Sequence, residues 1–134
     1  MKVMFDINVV LDIVAHRLPF YEDSRAAYLK TVGDGDEPCL SVHALATLYY
    51  LLGAASTRKQ RRAVMDWIFG AFKVAGLSAD EVEIARNLGL SDIEDALVVA
   101  AAKSSGCRCI VTRDVRDFSR CGMRVADPVG YVRP

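Results

Sequence analysis

The chain has 134 residues, 52% of them hydrophobic, which suits one domain over 1–134 with a buried core. Lys+Arg and Asp+Glu both number 17, so the zero net charge excludes bulk attraction as the main grip on nucleic acid and leaves that role to a local basic patch. The longest purely apolar run, Ala96 to Ala102, is too short to span a membrane, and a start containing Lys2 and Asp6 is not a signal peptide, so a cytoplasmic protein is expected.

The cysteines, Cys39, Cys107, Cys109 and Cys121, include a C-x-C pair but no C-x-x-C pair. With His16 and His43 far off in sequence, this is a poor zinc pattern. Cys107 and Cys109 read instead as small apolar residues on one face of a strand, in a reducing compartment.

In chain order, Lys2 to Phe5 (KVMF) reads as a buried strand, with Asp6 and Asn8 at its carboxyl end. Ligand sites of open α/β sheets lie beyond such ends. Asp6 is therefore a candidate functional acid, with helix capping as the competing reading. A short helix is expected over Val9 to Ala15, and another from Pro19 through Leu29, stopped by the turn Gly33 to Pro38. Cys39 to Val42 suggests a second strand. The pattern SVHALATLYYLLG is helical, with Leu45, Leu48, Tyr49 and Leu52 as its core stripe. His43 and Thr47 lie off that stripe, and His43 is expected at the surface or as a cap rather than as a ligand.

Ala55-Ser56-Thr57 opens a helix carrying the basic run Arg58, Lys59, Arg61 and Arg62, a solvated face or a phosphate-contacting patch. Its apolar side is Val64, Ile68 and Phe72. Lys73 to Gly76 reads as a short central strand, and Ser78 to Glu81 as a capping box opening a helix to Asn87.

The stretch LSDIEDALVVAAAK, Leu90 to Lys103, places Asp92, Glu94 and Asp95 at the mouth of a helix apolar on nearly every face. Such a helix is buried against a sheet. Ser91 reads as its N-cap, with Glu94 completing a capping box. Capping and the helix dipole account for one or two acids there, and a third calls for a cation. A strand follows from Cys107 to Thr112, then a loop with Arg113, Asp114, Arg116 and Asp117, a last strand from Cys121 to Ala126, and a turn at Asp127-Pro128. The β-α alternation predicts a three-layer α/β/α fold around a mostly parallel sheet of about five short strands.

Separate segments thus point Asp6, the Asp92/Glu94/Asp95 cluster and Asp114/Asp117 at one sheet edge. Gathered carboxylates repel one another and need a counter-charge. Oxygen ligands without paired His or Cys suit Mg²⁺ or Mn²⁺. Such a site suits phosphodiester hydrolysis.

The segments MKVMFDINVVLDI, SVHALATLYYLL, SDIEDALVVAAAKSSG and CIVTRDVRDF, in this order and spacing, resemble the PIN-domain family of VapC-type toxin ribonucleases over almost the whole length. The resemblance implies an acidic pocket that binds Mg²⁺ or Mn²⁺ and cuts RNA, often in a homodimer, silenced by a small antitoxin partner. It maps Asp6 to the first family acid, Asn8 to its polar neighbour, Asp95 to the helix acid, and Asp114 or Asp117 to the last acid. Asp6, Asp95 and Asp114 are then the catalytic acids, with Glu94 or Asp117 completing the metal shell. Asn8, Asp92 and Thr112 are the supporting polar groups. Arg113, Arg116 and the Arg58, Lys59, Arg61, Arg62 run are the candidate RNA contacts. The family's Glu on the helix after the second strand falls at Thr47, a departure shared by a subgroup with an IEDAL-type helix. Either Glu94 or Asp92 replaces that carboxylate, or the protein is a non-catalytic PIN module that binds RNA or a partner. A receiver or haloacid-dehalogenase-like phosphatase is disfavoured, because the first strand offers Asp6 alone, in a D-x-N rather than a D-x-D.

Overall fold

In the computed structural model, which describes residues 1–134, strands and helices alternate. They are β1 (Lys2–Phe5), α1 (Ile7–Val14), α2 (Tyr21–Gly33), β2 (Glu37–Ser41), α3 (Val42–Gly53), α4 (Arg58–Ala71), β3 (Lys73–Ala75), α5 (Ala79–Arg86), α6 (Ile93–Ser104), β4 (Cys107–Val111), β5 (Arg124–Ala126) and α7 (Pro128–Val132). A 3₁₀ turn at Val115–Phe118 joins β4 to β5. The five strands form one sheet in the order β3-β2-β1-β4-β5, every pairing parallel.

A parallel sheet must be covered on both faces, which is why its strands are continuous apolar runs. On one face Val3, Phe5, Leu40 and Val111 pack under α1, α2, α3, α4 and α7, whose contributions include Val10, Ala27, Leu48, Ile68 and Tyr131. On the other, Met4, Cys39 and Ile110 pack under Val98, Val99, Ala101 and Ala102 of α6. Fully buried Val99 and Ile110 each stabilise the fold by roughly 1.5–3 kcal/mol. The alanines of α6 let it lie close to the sheet, and Ala96 and Ala100 seat α5 behind it through Ala85. No helix is long and apolar enough to cross a membrane.

Local signals set the helix starts. Asp6 caps α1 by accepting from the Ile7 amide at 2.8 Å. Thr57 and Gln60 form a reciprocal capping box on α4 at 3.1 and 2.9 Å. The Ser78 amide donates to Glu81 at 2.7 Å on α5, as expected for the box read there.

Several expectations are corrected. β3 is an edge strand, not a central one, in keeping with its three residues and exposed Lys73 and Val74. Cys107 and Cys109 lie on opposite faces, because a register shift opposite Lys2/Val3 inserts Arg108 as an extra residue. Tyr49 is 42% exposed and leaves the core stripe of α3, where Ala44 is buried instead. The cap of α6 is Asp92, not Ser91: its carboxylate accepts from the Glu94 amide at 2.8 Å. The turn at Asp127-Pro128 leads into a further helix, α7, anchored by buried Tyr131, whose hydroxyl shares a 2.9 Å hydrogen bond with Thr31.

Candidate active site

All strands point the same way, so their carboxyl ends form one edge. Helix α6 leads back into parallel β4, so its N-terminus returns to that edge. The loops after β1, β2 and β4 and the first turn of α6 therefore meet there.

Asp6 is the fixed point of this edge. It is 5% exposed, and beyond its cap on α1 its second oxygen accepts from Thr112 Oγ1 at 2.7 Å. The Phe5–Val111 register brings the two residues side by side. Thr112 Oγ1 in turn accepts from the Asp114 amide at 3.1 Å, and Asn8 Nδ2 donates to Asp114 Oδ2 at 2.9 Å. Asn8 and Thr112 thus orient Asp6 and Asp114 relative to each other. Burial pushes the Asp6 carboxyl above its ordinary range. The bonds from Thr112 and Ile7 oppose that shift, and the charges of Asp114 and Glu94 add to it.

Across the edge, half-buried Glu94 and Asp95 stand on the first turn of α6. Asp95 is pushed up to about 7, first by burial, then by the charges of Asp92, Asp6, Asp117 and Glu94. The cap position is taken by Asp92, so the Glu94 side chain is not a capping-box partner. Asp114 acts on Asp6, and Asp117 acts on Asp95. None of the ion pairs in the structure involves Asp6, Asp92, Glu94, Asp95, Asp114 or Asp117. These are mutually repelling oxygen donors with no internal cation, a set that fits Mg²⁺ or Mn²⁺ by charge and ligand type. As they stand, no three acidic, histidine or cysteine side chains converge tightly enough to grip an ion. A divalent ion would have to draw them inward.

Three features of this edge escaped the sequence reading. His43 is not a plain surface residue: both ring nitrogens are buried without a hydrogen-bond partner, and Asp6 and the Glu94 backbone face the ring. Burial holds its pKa below the ordinary imidazole value, and the charge of Asp6 and the backbone carbonyl of Glu94, which approaches the ring without reaching full hydrogen-bond geometry, oppose that. Ser41 at the end of β2 is likewise buried with an unpartnered hydroxyl. Asp12, fully buried on α1, accepts from Arg113 at 2.8 and 3.3 Å, Arg17 at 3.1 Å and Ser24 at 3.0 Å. Its only sequence signal is a charge inside the apolar run INVVLDIV.

That network changes the reading of Arg113. Its guanidinium is held by Asp12 and lies 3.9 Å from the Phe20 ring centroid, so it braces the loop after β4 against α1. Arg116 is exposed on the 3₁₀ turn. Arg58, Lys59 and Arg62 are exposed at the start of α4, while Arg61 lies 3.9 Å over the Tyr49 ring.

A PIN-domain family profile matches residues 2–116. Ribonuclease VapC1 of Aquifex aeolicus (strain VF5) is 26% identical over 123 residues, covering 88% of this chain and 85% of that protein. The VapBC-1 structure from nontypeable Haemophilus influenzae superposes with a TM-score of 0.75 at 14% identity, covering 96% of this chain and 98% of that one. DNA-bound VapBC from Salmonella typhimurium gives 0.75 at 19% identity, covering the same shares. These likenesses match the three-layer fold along nearly its whole length. With the family profile spanning the strands and loops that carry the acids, the chain belongs to the PIN-domain family.

Proposed function

We propose that this chain, acting as one cytoplasmic domain over 1–134, is a divalent-metal-dependent endoribonuclease and the toxin of a toxin–antitoxin pair. The observation that carries this reading is the acidic edge itself, where burial first, and then neighbouring carboxylates with no ion-pair partner among them, push Asp95 up to about 7. The name of the Aquifex relative supports RNA as the substrate, and the VapBC neighbours support an antitoxin partner.

Asp6, Asp95 and Asp114 would hold Mg²⁺ or Mn²⁺, with Glu94 and Asp117 completing the shell. Asp114 is preferred to Asp117 beside Asp6 because Asn8 and Thr112 fix it there. Bound there, a divalent cation lowers the pKa of water and neutralises charge on the scissile phosphate. Asp6 is held by Thr112 and Ile7 with little freedom to rotate, which fixes this one acid while the others close around the ion. Exposed Arg116 and the Arg58, Lys59, Arg62 face would contact the RNA backbone.

For the antitoxin, a groove of about 430 Å³ between α1, α2 and α4, lined by Ile13, Val14, Tyr21, Tyr28, Val64 and Trp67, is the apolar surface a partner helix would cover. For a homodimer, exposed Tyr50 and Leu51 on α3 supply apolar surface.

The test is cleavage of single-stranded and structured RNA by the purified protein with Mn²⁺ or Mg²⁺, beside EDTA and an Asp95→Asn control. Metal-dependent cleavage that vanishes in the variant supports the nuclease. Thr47, where the family carries Glu, favours a second reading as a non-catalytic module. RNA or partner binding without cleavage under any metal would select it.

A further inference from the structure

The junction of β2 and α3 holds two orphaned buried polar groups, the Ser41 hydroxyl and the His43 imidazole. Buried polar atoms without partners are rare, and two within three residues call for a partner from outside the protein, a water or an ion. The junction also has a definite address. The Met4–Cys39 register, carried two residues further, sets Ser41 beside Asp6, on the sheet face that Met4 and Cys39 present to α6. From the next residue but one, His43 faces Asp6 and the first turn of α6.

Thr47 lies one turn further along α3, on the same face as His43. Long helical side chains lean toward the N-terminus, so a glutamate at 47 would lay its carboxylate over residue 43. That is the same side of α3 from which His43 faces Asp6. Thr47 itself offers only a hydroxyl, turned back to the His43 carbonyl at 3.5 Å.

We propose that His43 is a nitrogen ligand of the divalent cation, taking the place of the carboxylate that Thr47 lacks. The inference rests on the nuclease reading above and deepens it. Mn²⁺, though an oxygen-preferring ion, accepts an imidazole nitrogen more readily than Mg²⁺ does, so this site selects Mn²⁺ over Mg²⁺ more strongly than an all-carboxylate site. His43 as a mere packing residue would give no such preference.

The test needs no RNA. Mn²⁺ bound to the full-length protein is examined by pulsed electron paramagnetic resonance, which detects a directly bonded nitrogen. Mn²⁺ and Mg²⁺ affinities are measured by titration and competition. The parent is expected to show imidazole nitrogen coupling; His16, the other histidine, is exposed beside Tyr21 after the end of α1. In His43→Gln the coupling should vanish and Mn²⁺ affinity fall about tenfold or more, since even partners standing behind a ligand are worth roughly 10–100-fold. Mg²⁺ affinity should fall less. Combining His43→Ala with Thr47→Glu should restore Mn²⁺ binding without nitrogen coupling. Mn²⁺ bound to the parent without that coupling overturns the inference whatever the variants do. So does a His43→Gln protein with an unchanged Mn²⁺/Mg²⁺ ratio. If in those cases Asp95→Asn still abolishes binding, the metal-site reading stands; if the parent binds no Mn²⁺, both fall.

Discussion

Replacing Asp95 by Asn should stabilise the cation-free protein, and only at higher pH. Asp95 ionises at its ordinary 3.8 in the unfolded chain but at about 7 in the folded one. Between those values the folded state holds a proton that the unfolded state has released. Stability therefore falls as pH rises through this window and levels off above it. Each pH unit of the window is worth about 1.4 kcal/mol if the group is dry. Asp95 is only half-buried, and solvent screening reduces the total to roughly 1–2 kcal/mol. The Asn side chain keeps the shape and removes the charge, so the variant should lose that slope and melt roughly 3–8 °C higher at pH 8. Thermal melts followed by circular dichroism in EDTA, from pH 4.5 to 8.5, make the comparison. Added Mn²⁺ should then raise the parent and leave the variant nearly unmoved. A variant no more stable than the parent at pH 8, or one with the parent's pH slope, would refute the claim that burial and the neighbouring carboxylates hold Asp95 protonated above its ordinary range.

Thr112→Val removes the hydroxyl that joins Asp6 to the Asp114 amide, so it should cost roughly 1–3 kcal/mol in urea unfolding and weaken Mn²⁺ binding without abolishing it. Asp12→Ala leaves Arg113 and Ser24 without their buried acceptor and should cost about 3–5 kcal/mol, read as a lower urea midpoint. A destabilisation below about 1 kcal/mol would show that the network relaxes into water. Reversing Arg58, Lys59 and Arg62 to Glu should weaken RNA binding and flatten its salt dependence by roughly one log unit per lost phosphate contact. Unchanged salt dependence would leave that face to solvent.

The parts of the fold legible in sequence were those written locally. KVMF-D reads as a strand closing on an acid because a parallel strand's burial shows in a continuous apolar run. The mouth of α6 reads as acidic because its residues are neighbours in the chain. Strand order is not written locally: nothing in Lys73 to Ala75 tells an edge from a centre, and the register shift that parts Cys107 from Cys109 arises only against β1. The same limit explains Arg113. Its positive charge looks available for RNA until Asp12, distant by 101 residues, is seen to hold it.

His43 is the sharpest case. Helical periodicity puts it off the core stripe, and an off-stripe histidine reads as solvent-facing. That inference assumes that whatever lies opposite α3 comes from its own sheet face. Here the opposing groups are Asp6 and the first turn of α6, which folds over the carboxyl edge from the other face of the sheet. The missing carboxylate at Thr47 and the unexpected imidazole at His43 are visible separately in sequence, and only the return of α6 to the edge makes them one question. A site that replaces oxygen by nitrogen while keeping its carboxylates should still bind its ion but alter which ion it prefers. Metal preference, not the presence of metal, is therefore where this chain should depart from relatives that carry the glutamate.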